Sequence, residues 1–170
     1  MKKKVIAGME LTLLILSMLT LALNVQQVKS LEPPETEWTK TYGGSRYEMA
    51  YSVVQTLDGG YALAGYTDSS GAGVSDFWLV KTDAYGNMQW NKTYGGNHED
   101  GACSVVVSGD GGYAIAGYTA SFGAGGGDFW LVKTDSSGNP QWNRTYGGSD
   151  EDCAYSVSYT HLRAHETVLD

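Results

Sequence analysis

Trp38, Trp90 and Trp142 stand 52 residues apart. Setting 38–89 against 90–141 needs no gap, and 34 of the 52 positions are identical. Identity at that level over a whole unit is internal duplication. It constrains the fold more than any other feature. Whatever one unit forms, the next forms too, and successive units must pack through the same contacts. A third copy opens with WNRTYGGSDEDCAYSV at 142–157 and then fails. The repeat demands Asp-Gly-Gly-Tyr at 162–165, where the chain has Leu-Arg-Ala-His.

Four strands can be read within a unit. The first is Tyr51 to Thr56, and Asp58-Gly59-Gly60 turns it into the second, Tyr61 to Thr67. Glycine supplies the positive φ such turns need. A Gly-rich loop, Asp68 to Ser75, leads to the third strand, Asp76 to Thr82, and Asp83 to Asn87 turns into the fourth, Met88 to Tyr94. Unit two repeats the turns with Asp110-Gly111-Gly112 and Asp135 to Asn139. A sheet with one wet face alternates apolar and polar residues. Here the second strand carries Ala62 and Ala64 on one face with Leu63 and Gly65 on the other, and the third runs Phe77-Trp78-Leu79-Val80 without a break. Both faces read as buried, which predicts an all-β fold of four-stranded, propeller-like blades packed face to face. Pro140 opens a fourth strand, the place for an edge. A stacked solenoid is the alternative architecture. Trp38, Trp78, Trp90, Trp130 and Trp142 are the expected aromatic core of the repeat.

The run from Leu79 to Trp90 carries Asp83, Gly86 and Trp90, and Leu131 to Trp142 carries Asp135, Gly138 and Trp142. This Asp-x-x-Gly-x-x-x-Trp spacing resembles the signature of quinoprotein-type, tryptophan-docking β-propeller repeats. The resemblance spans about 31–156 and implies a propeller in which each Trp docks between blades. The unit here is longer than usual for that family. None of the family's quinone-binding or metal-binding residues can be placed on this chain, so the resemblance implies fold and not dehydrogenase activity.

The unit boundaries follow from Tyr-Gly-Gly. The expected organisation is 31–44 as a linker with an orphan outer strand from Trp38 to Tyr42, blades at 45–96 and 97–148, and the start of a third at 149–157. Before these, Lys2-Lys3-Lys4 and the apolar stretch Leu11 to Leu23 read as a signal helix over 1–30, cut after Val28-Lys29-Ser30. Thirteen residues, broken by Thr12, Ser17 and Thr20, fall short of the roughly 20 apolar residues a bilayer span needs. The alternative is an uncleaved membrane anchor; either way the remainder is expected outside the cytoplasm, extracellular or at the cell surface. At the other end, VSYTHLRAHET over Val157 to Thr167 resembles a translated transposase-type sequencing adapter, so 158–170 is expected to be foreign to the repeat. His161, His165 and Glu166 would otherwise suggest a zinc pair on a helix; they fall in that tail.

Composition narrows the partners. Over 31–156 there are 6 Lys and Arg against 16 Asp and Glu, a net charge of −10. Nucleic-acid binding relies on Lys and Arg to neutralise phosphates, so such a partner is not expected. An anionic membrane surface is disfavoured for the same reason, leaving membrane contact to an uncleaved N-terminal segment. The expected partner is a protein or carbohydrate at the cell surface. Cys103 and Cys153 allow a disulfide in an exported chain. The repeat register argues against one: Cys153 aligns with Gly101, which places both side chains on the same face of successive sheets.

Catalytic motifs do not emerge. No Gly-x-Ser-x-Gly or zinc cluster appears, and Gly123 to Gly127 lacks the Lys-Ser/Thr of a phosphate loop. Carboxylate pairs that could hydrolyse glycosides are many, and none sits in a distinctive frame. The acidic runs Glu99-Asp100 and Asp150-Glu151-Asp152 read as solvated loops, and Asp68, Asp76 and Asp128 as turn caps. No catalytic, cofactor-binding or metal-binding residue is therefore assigned, and no cofactor. Asn91-Lys92-Thr93 and Asn143-Arg144-Thr145 are sequons, making Asn91 and Asn143 candidate N-glycosylation sites. The chain reads as a fragment of a secreted or cell-surface repeat protein serving as a binding or structural module. The alternative is an exported hydrolase or quinoprotein-like enzyme whose catalytic residues lie elsewhere.

Overall fold

The computed structural model describes residues 37–158. The expected signal helix and cleavage site, and the adapter-like tail from 159 with its two histidines, lie outside the described residues.

Eight strands alternate with short turns: β1 (Glu48–Gln55), β2 (Tyr61–Thr67), β3 (Asp76–Thr82), β4 (Met88–Tyr94), β5 (Asp100–Val107), β6 (Tyr113–Thr119), β7 (Asp128–Thr134) and β8 (Pro140–Tyr146). They form two four-stranded antiparallel meanders, β1-β2-β3-β4 and β5-β6-β7-β8. The described region is all-β. Its two sheets do not close into a ring. Each sheet is one 52-residue unit, and the registers repeat: Gly65 pairs with Trp78 as Gly117 pairs with Trp130. The β1–β2 hairpin turns where Gly59 takes φ 81°, a conformation open to glycine at little cost. One residue bulges out of the first strand of each sheet, its inner strand: Tyr51 in β1 and Cys103 in β5.

Each sheet has two chemically different faces. Cross-strand partners share a face, so Ala62, Ala64, Phe77 and Leu79 form one and Leu63, Gly65, Trp78 and Val80 the other. The first face of sheet one packs against the second face of sheet two, where Ile115, Trp130 and Val132 stand. Small alanines let the backbones approach, and the Phe77 ring meets Trp130 at 4.7 Å and 62°. Identical residues thus have different burial in the two copies. Phe77 and Leu79 are fully buried, whereas Phe129 and Leu131 are half-buried; Trp130 is 4% exposed, whereas Trp78 is half-buried. Full burial of a Phe or Leu side chain is worth about 1.5–3 kcal/mol.

Inner strands follow one another side by side. Val105 N–H donates to Ser52 Oγ (3.2 Å), and Asp100 N–H to Ser75 O (2.9 Å). The start of the third copy lies on sheet two in the same way: Val157 N–H donates to Ser104 Oγ (3.1 Å), and Asp152 N–H to Gly127 O. Residues 151–158 nonetheless carry no strand pairing.

Candidate functional site

The repeated tryptophans fasten one unit to the next. The Trp90 indole meets the Tyr113 ring edge-on at 5.9 Å, and Tyr94 O–H donates to Gly138 O at 2.7 Å. Trp38 does the same one unit earlier, with Tyr61 at 5.8 Å, while Tyr42 O–H donates to Gly86 O at 2.7 Å. Residues 38–42, read from sequence as an orphan outer strand, form no strand; these two contacts hold them instead. Gly86 is required here: its φ is +72°, and a Cβ would stand 2.6 Å from the Trp38 ring. Among the described residues no turn covers Trp142, which is 43% exposed.

Asn91 and Asn143 are exposed on β4 and β8. Both are already engaged across the sheet. Asn91 Oδ1 accepts from the Trp78 indole N–H (3.2 Å) and Asn143 Oδ1 from that of Trp130 (3.4 Å). The recurrence of Asn at this position therefore has a structural cause independent of any sugar: it pairs the indole N–H at the sheet edge.

Asp58 grips Lys81, whose side chain is 6% exposed and whose ammonium also donates to Thr82 O and Gln89 Oε1. The Lys81 hydrogen bond, then that of Thr56, holds the Asp58 carboxyl far below the usual carboxylate range. Lys133 and Asp110 repeat the pair. Asp76 and Asp128 cap the Gly-rich loops, accepting from Gly73 N–H (3.2 Å) and Ala124 N–H (2.8 Å). Asp100 departs from the solvated-loop expectation. It is fully buried at the start of β5, where its Oδ2 accepts from Gly96 N–H (2.8 Å) and Ser121 Oγ (2.7 Å). The cause is tertiary: Asp100 N–H is drawn to Ser75 O of the preceding unit, which carries the side chain into the junction. Among the described residues no three His, Cys, Asp or Glu side chains converge as metal ligands would.

A broad concavity opens where the inner strands of both sheets meet the third copy. Its volume is about 640 Å³, and its walls carry Tyr51, Tyr118 and Tyr155 with Glu99, Glu151 and Asp152. Burial, then the charge of Glu99, raises the Tyr118 phenol to about 12, so it remains a hydrogen-bond donor at neutral pH. Aromatic faces beside carboxylates suit sugar rings or cationic side chains. The three tyrosines were not singled out from sequence, and Glu99, Glu151 and Asp152 were read there as parts of solvated loops. A signal was present: Tyr51, Cys103 and Tyr155 occupy one repeat position, and only the fold turns that column toward a common groove.

Cys103 and Cys153 line the same groove as free thiols. Their sulfurs are 3.9 Å apart, although the repeat register argued for side chains on the same face of successive sheets. Two features account for the difference. Cys103 is the bulged residue of β5, which breaks the strict alternation of side chains. The third copy also lies beside β5, so residues assigned to one face become lateral neighbours.

No family model matches the chain. It is similar to a regulatory protein, FlaEY, of Caulobacter vibrioides, at 29% identity over 124 aligned residues. The match covers 64% of this chain and 13% of that relative's length. A span that long must include part of the repeat.

Proposed function

We propose that the chain is part of a β-propeller repeat protein, displayed outside the cytoplasm, that binds a carbohydrate or protein ligand at the groove between inner strands. The groove carries the binding reading: three tyrosines and three carboxylates converge there from two units and the start of a third. The propeller reading is supported by the two complementary sheet faces. Each recurs at one end of the pair with no second sheet against it, as expected if further units continue the array. The docked Trp38 and Trp90 agree with the tryptophan-docking resemblance. The similar regulatory protein is a far longer chain, of which the match covers only 13%.

Glycan arrays probed with the full chain, followed by calorimetry on any ligand found, test the site. Binding should concentrate on one ligand class and fall at least tenfold in Tyr118→Ala. Binding that is absent, or unchanged in that variant, would remove the groove as the site. Reading the genomic locus beyond Ser156 tests the architecture. Further copies of the unit support a ring, and a catalytic domain would favour the exported-enzyme alternative.

A further inference from the structure

The chain has two cysteines, and each breaks the repeat. Cys103 stands where the other copies have Tyr51 and Tyr155, and Cys153 where they have Met49 and Gly101. These two departures, 50 residues apart, meet across the junction between sheet two and the third copy, with Sγ atoms 3.9 Å apart. The meeting is anchored on both sides. Asp152 N–H donates to Gly127 O and Val157 N–H to Ser104 Oγ, repeating the bonds that seat β5 on sheet one. Both thiols are partly exposed and open onto the 640 Å³ groove, which gives a small reagent access.

We propose that Cys103 and Cys153 are a disulfide site, oxidised by thiol–disulfide exchange, whose bond fastens the third copy to sheet two. A bonded S–S distance is about 2.05 Å, so the sulfurs must close by about 2 Å. Side-chain rotation and a small shift of the unpaired segment 151–158 supply that movement. The oxidant is a small-molecule or protein disulfide. One cysteine thiolate attacks it, breaking its S–S bond and releasing one thiol while a mixed disulfide forms. The second cysteine then attacks the protein sulfur of that mixed disulfide and releases the second thiol. One S–S bond is formed and one broken, and the two protons leave on the released thiols. Burial, and then the neighbouring Cys153, raises the Cys103 thiol above its ordinary value, which keeps this exchange slow at neutral pH.

The test uses the full, reduced chain and oxidised glutathione under anaerobic conditions, followed by alkylation with iodoacetamide and intact-mass measurement. The expected product is a monomer that takes up no alkyl group and retains no glutathione. Cys103→Ser and Cys153→Ser should each stop at one stable glutathione adduct. In the oxidised protein, amide exchange across 149–157 should slow at least tenfold. A protein that still takes up two alkyl groups, holds two glutathiones, or forms covalent dimers would overturn the pairing. Unchanged exchange in the oxidised monomer would overturn the fastening role.

Discussion

Phe77 and Trp130 meet edge to face at 4.7 Å, while their repeat equivalents, Phe129 and Trp78, are half-buried on the two faces that have no second sheet packed against them. The contact is heterologous: one face of a unit recognises the opposite face of the next. Such an interface propagates, because every added unit covers one face and presents another.

This asymmetry separates two mutations that sequence alone would rank as equal. Trp130→Ala removes a side chain packed on Phe77 and Phe122 and should cost about 3–5 kcal/mol. Trp78→Ala, half-buried on a face with no second sheet against it, should cost less than about 2 kcal/mol in this chain. Adding a preceding unit should bring the two costs together. Urea denaturation measures both, and equal costs without that unit would contradict the face pairing.

The glycines under the docked tryptophans give a second prediction. Gly86→Ala forces a Cβ against Trp38 and a side chain at φ +72°; Gly138→Ala does the same beneath Trp90 at φ +76°. Each should cost at least about 1 kcal/mol for the backbone alone, with further loss as the indole is displaced. Tryptophan emission should shift to the red. An unshifted spectrum with unchanged stability would show that the docking is incidental.

Acid should destabilise the fold. Hydrogen bonds hold Asp58, Asp83, Asp110, Asp135 and Glu48 below their ordinary values. A carboxylate lowered in the folded state contributes stability above its unfolded pKa, near 4, and loses it as pH falls through the folded value. Asp76, raised by burial, acts in the opposite direction and favours the fold on protonation. Five groups oppose one, so the urea midpoint should drop between pH 6 and pH 3. The drop should shrink in Asp58→Asn/Asp110→Asn. A midpoint that is flat or rises on acidification would show that the Asp58–Lys81 and Asp110–Lys133 grips are not what stabilises the turns.

Residues 31–156 expressed by themselves should self-associate. The half-buried Leu63 and Trp78 at one end match the half-buried Phe129 and Leu131 at the other, as their equivalents match inside the chain. Leu131→Glu should reduce the association while leaving the fold intact. A monodisperse monomer in light scattering would favour a self-sufficient pair of sheets over an open array.

Much of this fold was legible in the residues. The 52-residue period, the Gly turns and the unbroken apolar run Phe77 to Val80 placed the strands to within a few residues, because backbone pairing and turn geometry are local. The start of β1 was missed, as Glu48 to Ala50 carry no alternation to mark them. What sequence could not decide was which face meets which, and what lies beside each inner strand. Those depend on how one twisted sheet settles against its neighbour. Identical residues therefore read the same at Trp78 and Trp130, and only packing exposed one and buried the other. The same settling drew Asp100 into the junction, turned Tyr51 and Tyr118 toward one groove, and set Cys103 beside Cys153 by a bulge and a lateral step that no spacing records.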